Sequence, residues 1–348
     1  MKSHKALTGT YPAEESNAWR RAAPVVALIV ISPVLTELLM GIVRVSNLWL
    51  LLPEMAVYGT AALIIREVIR RMGRGWASML LLGLVFGIAE ECVILQTSLT
   101  PQFFPPGSFG WASGVQWIYL VALVWYEGVY AVVLPIYLVE MLFPALRTVP
   151  WLSRRGLIIA CVFLVLSSFG VYELWHRIGL QRYGDSAYQV PALYVGIALL
   201  ISAMLVGLAL LPRKLPTPAE GARRRTPTPW LVGILAFGFG LVWFLFIALP
   251  YVPPSGLQGM SPLVPIAAGL VWIAAGLFIL MRAAAGVGWN DRHRLALIFG
   301  MSLASMLGGT AVVLRAAPID ILGKFAFDLA ALVLFIIFTV RLRLQPAP

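Results

Sequence analysis

The sequence predicts an all-α fold, a polytopic transmembrane helix bundle of about ten spans with both termini in the cytoplasm. Three observations predict it. Of the 348 residues, 60% are apolar and only 12% charged, and the mean hydropathy is +0.89. A water-soluble domain of that composition has too few charges to cover its apolar surface, so lipid must be the solvent for most of it. The apolar residues also fall in ten runs of about twenty residues, the length that crosses a bilayer. Finally, the basic residues collect in alternate connections between those runs.

The runs are Ala23–Val43, Trp49–Arg71, Ala77–Thr97, Val115–Phe143, Gly156–Trp175, Val190–Leu211, Trp230–Leu249, Pro262–Met281, Leu295–Leu314 and Ile319–Val340. The fourth is the longest and is expected to tilt, or to kink at Pro135, which has no N–H for the helix ladder. No small-residue cleavage motif follows the first run, so it reads as a retained span. With the N-terminus inside, the cytoplasmic segments carry Lys2, Lys5, Arg20, Arg21, Arg70, Arg71, Arg74, Arg147, Arg154, Arg155, Arg213, Lys214, Arg223, Arg224, Arg225, Arg282, Arg292, Arg294, Arg341 and Arg343. The opposite connections carry only Arg44, Arg177, Arg182 and Arg315. That asymmetry predicts a cell (plasma or inner) membrane protein with both ends cytoplasmic.

Four segments follow: a cytoplasmic tail at 1–22, a six-span subdomain at 23–212, a basic Pro-rich linker at 213–229 and a four-span subdomain at 230–348. The linker reads as a connector, or as a surface for anionic lipid. The uncharged, aromatic-rich stretch from Ser98 to Gly114 reads as a re-entrant or interface-lying cap on the outer side. The net charge of +11 follows the positive-inside pattern and is not a nucleic-acid footprint. Cys92 and Cys161 lie within apolar runs and read as small hydrophobes, with no metal site or disulfide expected. No P-loop, dinucleotide fingerprint, zincin motif or nucleophile elbow is present, so no cofactor is expected. The expected partners are membrane lipids and either a small solute or a membrane-embedded peptide.

Ionisable side chains in lipid need a partner, a cavity or a function, and here they crowd into the first five spans. At 1.5 Å per residue, Glu37 and Glu91 lie roughly 20 Å from the cytoplasmic boundary, and Glu127 reaches about mid-membrane from the other side. Glu54 and Glu173 sit near the outer ends of their spans. The third run places Gly83, Gly87 and Glu91 on one helical stripe, so a neighbour is expected to approach closely and Glu91 to face it. Glu90 lies about 100° round the helix and off that stripe. Glu54, Tyr58, Ala62 and Arg66 share another stripe, and Pro33, Glu37 and Gly41 a third; Pro33 frees a backbone carbonyl one turn earlier. A polar cavity that opens outward is therefore expected from Glu37, Glu54, Tyr58, Arg66, Glu91, Gln96, Glu127 and Glu173, with Glu91 weightier than Glu90.

Plainer readings stand beside these. Glu54 and Glu173 suit a wet interface, Arg66 suits snorkelling beside Glu67, Arg70 and Arg71, and Glu140 suits the surface. Asp320, Lys324 and Asp328 suit an intrahelical ion ladder. Gly300, Ala304 and Gly308 suit a close-packing stripe. His176 is the one histidine near the carboxylates.

Glu90-Glu91, late in a helix after a basic turn, resembles the first motif of the CPBP family (CAAX-protease and bacteriocin-processing glutamate intramembrane proteases). That motif is Glu-Glu-x-x-x-Arg, followed by Phe-x-x-x-His and a further His. Leu95 stands where the Arg belongs, Trp125-Tyr126-Glu127 brings no histidine, and Tyr172-Glu173-Leu174-Trp175-His176 approximates the second motif. The resemblance implies water activation by Glu90, Glu91 and His176 for peptide cleavage. The set Arg66-Glu67, Gly73-Arg74-Gly75-Trp76 and Glu90-Glu91 is similar to a group of uncharacterised prokaryotic membrane proteins, which implies a membrane protein only.

Three functional readings result: a carboxylate-lined cavity handling a small solute, proton or lipid; a divergent glutamate protease; and a non-catalytic scaffold or partner subunit. The topology is directly testable. In a cysteine-free background, a cysteine at Ser108 is expected to react with an impermeant thiol reagent in intact cells, and one at Thr226 only after lysis; labelling of Thr226 in intact cells overturns the orientation.

Overall fold

In hydrocarbon a backbone amide finds no partner but the chain itself, so each apolar run must close its own hydrogen bonds as a helix. A computed structural model describes residues 13–101, 108–179, 189–211, 226–248 and 260–344. Helices α1 (Ala13–Pro33, continued by a π turn over Val34–Leu38), α2 (Val45–Arg71), α3 (Trp76–Ile94), α4 (Trp117–Leu142), α5 (Arg154–Arg177) and α6 (Ala192–Leu210) form the first part. Helices α7 (Pro229–Ala248), α8 (Leu263–Ala284), α9 (Asp291–Val313) and α10 (Pro318–Leu344) follow. Eight of these are long and apolar enough to cross a membrane, and the apolar parts of α1 (Ala22–Leu38) and α7 (Pro229–Leu245) are shorter. Helix α1 starts at Ala13, ahead of the apolar run, so residues 13–22 of the expected tail are helical. Residues 1–12 and most of the expected linker, 212–225, lie outside the described residues.

Between α3 and α4 sits a short antiparallel hairpin, β1 (Trp111–Ala112) and β2 (Val115–Gln116), with Trp111 opposite Gln116. It marks the hairpin end of the bundle; the arginines closing α2 mark the basic end.

Helix α4 lies at the centre, with 61% of its apolar window buried against 6% for α5 and 11% for α6 and α8. Those three therefore form the rim. The inner helices approach through small residues. A Cβ on Gly83 would lie 2.6 Å from the Gly128 carbonyl, and one on Gly87 would lie 2.8 Å from the Val124 backbone, so α3 and α4 touch backbone to backbone. Gly59 of α2 meets the carbonyl of Ile29 of α1 in the same way, and Ile29 O is the group that Pro33, lacking an N–H, leaves free four residues earlier. Likewise Pro135 cannot donate to Ala131 O, and the Ser32 hydroxyl donates to it at 2.6 Å. In the second half, α9 packs on α7 along the expected stripe. Gly300 meets the Gly233 and Phe237 backbone, Ala304 sits against Gly240, and Gly308 lies on the Phe244 ring.

The basic end is closed by ions. Arg66 does not snorkel, as its side chain is fully buried. Its guanidinium donates to Glu67 (2.9 Å), Glu140 (3.2 Å) and the carbonyls of Leu146 and Arg147 (3.0 Å each), and its flat face lies 3.7 Å from the Trp151 ring centre. Glu140 is likewise buried, not at the surface, and takes a second, bidentate arginine, Arg70. Glu67 accepts the backbone N–H groups of Trp151 (2.7 Å) and Leu152 (3.3 Å). The α4–α5 connection is thus clamped to α2. Arg147 extends the clamp to Asp291 at the start of α9 (2.5 Å).

The expected ladder on α10 is half formed. Lys324 pairs with Asp328 and donates to Met306 O, but Asp320 turns away to accept the N–H and hydroxyl of Ser46, each at 2.9 Å.

Backbone contact at Gly83 leaves no room for a side chain, whereas Gly196 has open space around its Cβ position. Gly83→Leu is therefore expected to lower the thermal unfolding midpoint in detergent, or to prevent folding, at a cost of ~3 kcal/mol or more. Gly196→Ala is expected to leave the midpoint unchanged or slightly raised, and equal midpoints for the two variants would show that α3 and α4 do not pack as described.

Candidate functional site

A π turn inserts one residue into a helix, shifts the side chains that follow it and loosens the ladder locally. Among the described residues five such turns occur, one ending α5 at Trp175–Gly179 and one on each of α1 to α4, and each of these four holds polar residues singled out from sequence. They cover Val34–Leu38 with Glu37, Met55–Gly59 with Tyr58, Glu90–Ile94 with Glu90 and Glu91, and Glu127–Val133 with Glu127. Pro33, Pro53 and Pro135 lie within two residues of three of them, where the missing N–H already disfavours regular α bonding. The fourth ends α3, where Leu95 N–H reaches back five residues to Glu90 O.

These turns bring Glu37, Glu54, Tyr58, Glu90, Glu91 and Glu127 together. The Tyr58 hydroxyl lies 3.1 Å from Glu90 Oε1 and 3.4 Å from Glu127 Oε1, bridging α2 to α3 and α4. The carboxyls of Glu90 and Glu91 are within hydrogen-bonding reach of each other. Glu37 lies in Coulombic reach of Glu91, Glu90 and Glu127, and Glu54 in reach of Glu37. Glu37, Glu90, Glu91 and Glu127 are at most 6% exposed. Among the described residues no Lys, Arg or His forms an ion pair with any of these five carboxylates. One buried oxygen on each of Glu54, Glu90 and Glu127 has no hydrogen-bond donor.

Two neighbouring carboxyls settle differently. Glu91 Oε2 accepts the hydroxyls of Thr97 (2.5 Å) and Ser98 (2.7 Å). Glu90 is just as buried as Glu91, both at 2%, but faces Tyr58 and Glu127. Glu91 is inward as expected, while Glu90, expected off the stripe, is equally inward, because the π turn beginning at Glu90 alters the register on which the stripe argument relied.

Four expected site residues lie elsewhere. Arg66 belongs to the ion cluster at the basic end. Glu173 forms a surface pair with Arg177 at 3.0 Å. His176 stacks on Tyr172 with ring centres 3.9 Å apart, and its Nδ1 meets Tyr172 O of its own helix. Among the described residues no hydrogen bond joins it to Glu90 or Glu91, which leaves the protease-like trio of Glu90, Glu91 and His176 unassembled. Gln96 is buried and has a left-handed backbone, φ +58°, a conformation costing a non-glycine residue about 1 kcal/mol. It turns the chain from α3 into the buried segment from Thr97 to Thr100.

Sequence reasoning missed Thr97, Ser98, Tyr119 and Tyr126. The hydroxyls follow Glu91 by six and seven residues, a separation that becomes a contact only when a helix stops and folds back. Tyr119 lies in Coulombic reach of Glu37, Glu90, Glu91 and Glu127. Tyr126 donates to Thr36 O in the π turn of α1 at 2.5 Å. Its adjacency to Glu127 was the available signal. Among the described residues no three or more His, Cys, Asp or Glu side chains are grouped so as to hold a metal ion.

Fold and composition together define a multi-pass α-helical membrane protein. The chain belongs to an uncharacterized membrane protein family, whose sequence model matches residues 26–324 and so takes in every carboxylate of the site. That match accords with the resemblance carried by Arg66-Glu67, Gly73-Arg74-Gly75-Trp76 and Glu90-Glu91, and lends none to the CPBP family. No curated protein and no solved structure matches the chain.

Partnerless buried carboxylates destabilise a fold, whereas paired ones hold it together. Glu127→Gln is expected to raise the unfolding midpoint in detergent, and Glu67→Gln to lower it by about 3 kcal/mol through the N–H and arginine contacts it weakens. Equal effects of the two substitutions would contradict this division of the acidic residues.

Proposed function

We propose that this protein is a carrier whose buried carboxylate cluster takes up and releases protons, alone or in exchange for a small cationic solute, at the hairpin end of the bundle. One observation carries the reading. Five carboxylates from α1 to α4 face one another with no basic side chain paired to them among the described residues, and three of their oxygens lack a donor. Several negative charges cannot persist together away from water, since each ion costs several kcal/mol unless compensated. Since no described basic side chain pairs with the cluster, we assign the missing positive charge to protons or to a cation, and a group neutralised in that way is what a proton-coupled carrier needs. Tyr58 offers a proton relay between Glu90 and Glu127.

The remaining features are placed by the same reading. The twenty-to-four bias of basic residues puts the basic end and both termini in the cytoplasm, the hairpin end outside, and ten spans in a cell membrane. The six-span part up to residue 212 holds the site, and the four-span part from residue 230 supports it. In the described state the inward side is sealed by the Arg66, Glu67, Arg70 and Glu140 ion cluster, so uptake begins from the outside, and inward release requires that cluster to part.

Purified full-length protein in liposomes loaded with a pH-sensitive dye tests this, with a pH gradient imposed and the membrane potential clamped by potassium and valinomycin. Proton flux above that of empty vesicles is expected, with or without added sodium. Glu90→Gln and Glu127→Gln are each expected to reduce it at least about tenfold, as removing a relay group does. Wild-type flux no greater than in empty vesicles, in every ionic condition, removes the carrier reading.

A further inference from the structure

We infer that Thr97 and Ser98 are positioning residues that tie the charge on Glu91 to closure of a cap, so that proton uptake by Glu91 frees the cap and opens the site at the hairpin end. The inference takes its functional meaning from the proton-handling reading above, but it stands on separate contacts.

The cap is a chain of hydrogen bonds that begins at one carboxylate. Glu91 Oε2 holds the hydroxyls of Thr97 and Ser98 at 2.5 and 2.7 Å, and Glu91 O accepts Ser98 N–H at 3.4 Å. Ser98 O in turn accepts the N–H of Gln116 in β2 at 2.9 Å, and the Gln116 amide donates to Phe109 O at 2.9 Å. Thr97, Ser98, Thr100 and Gln116 are at most 4% exposed, so the segment lies plugged into the bundle. Its apolar anchorage is small: Leu99 and Val115 sit with Cys92 and Ala198 in the least populated of the three apolar clusters. Hydroxyl bonds to an ionised carboxylate are roughly twice as strong as neutral ones. Closure therefore depends on the charge of Glu91, tight when it is ionised and loose when it holds a proton.

The surroundings of Glu91 suit that role. Glu37 faces it from α1, Glu54 and Tyr58 lie beyond on α2, Glu90 and Cys92 flank it on α3, and Tyr119, Tyr126 and Glu127 come from α4. Of the rim helices that pack on its turn, α6 brings one titratable side chain, Tyr194, and at this end α5 brings Tyr172, His176 and the ion-paired Glu173 and Arg177. None of these is a cation paired with Glu91 among the described residues, so its charge is balanced by the two hydroxyls and by exchangeable protons. The opposite end is closed by four ion pairs and has no such hinge on a single carboxyl. The left-handed Gln96 stands between the Glu91 turn and Thr97, a strained link that relaxes when the cap lifts.

The experiment reads cap opening without reading transport. In the full chain with Cys92 and Cys161 replaced by alanine, Thr100→Cys reports opening, and the exposed Ala112→Cys corrects for the pH dependence of the thiol reaction itself. The ratio of their maleimide labelling rates is expected to rise about tenfold as the pH falls, the effect of losing about one charge-assisted hydrogen bond. Glu91→Gln should fix the ratio near its acid-side value. Thr97→Val and Ser98→Ala should raise it at alkaline pH, and Thr97→Ser should restore the wild-type profile, which a merely structural role of that position would not require. A pH profile that survives Glu91→Gln, or a cap equally tight in Thr97→Val and Ser98→Ala, overturns the inference. Labelling that follows Glu91 in a protein without proton flux keeps the latch and removes the carrier; flux beneath a cap indifferent to Glu91 and Thr97 does the reverse.

Discussion

A charge held away from water must be compensated, and the two ends of this bundle meet that demand in opposite ways. At the basic end, Arg66 is fully buried yet every arm of its guanidinium is occupied, by two carboxylates and two carbonyls. Desolvation is offset there within the chain, and the result is a rigid clamp. At the hairpin end, the carboxylates of α1 to α4 have hydroxyls and one another, but no cation paired with them among the described residues. The first arrangement is complete by itself and the second is not.

Closeness of the carboxylates depends on irregular helices. A straight α-helix presents side chains 100° apart, and four helices of that kind would offer each carboxylate its own neighbour. Three prolines and one abrupt helix end replace regular turns by π turns at the same level of the bundle. The carbonyls released by proline are not wasted, since Ser32 meets Ala131 O and Gly59 packs on Ile29 O. Glycine at 59, 83, 87 and 128 then lets the backbones close around the cluster.

Much of this was legible in the sequence, because burial in lipid is read from composition and from runs of apolar residues, both local properties. Each of the ten apolar runs contains a helix within the described residues, eight of them long and apolar enough to cross a membrane, and the glycine stripes of α3 and α9 pack as their spacing implies. Legibility ends where the regular period ends. The stripe that set Glu91 above Glu90 assumed an unbroken α-helix, and the π turn at that pair removed the premise. Arg66 read as a snorkelling residue because its partners, Glu140 and the 146–151 loop, are some 80 residues away. Asp320 read as part of a ladder because Ser46 is even more distant in the chain. Thr97 and Ser98 were invisible for the complementary reason: their contact with Glu91 is close in sequence but needs a helix to stop.

The long separation between Arg66 and its partners also bears on how the chain is made. When Arg66 is added to the growing chain, Glu140, Leu146 and Arg147 are still 74 to 81 residues from being synthesised. At about 5–20 residues per second, that is a wait on the order of ten seconds. During it Glu67 is the one side-chain partner of Arg66 in this cluster that has already been made. Only when α4 and its following loop arrive can the arginine be drawn in and the Trp151 ring laid over it. Completion of the clamp on the second helix thus waits on synthesis of the fourth and of the loop that follows it.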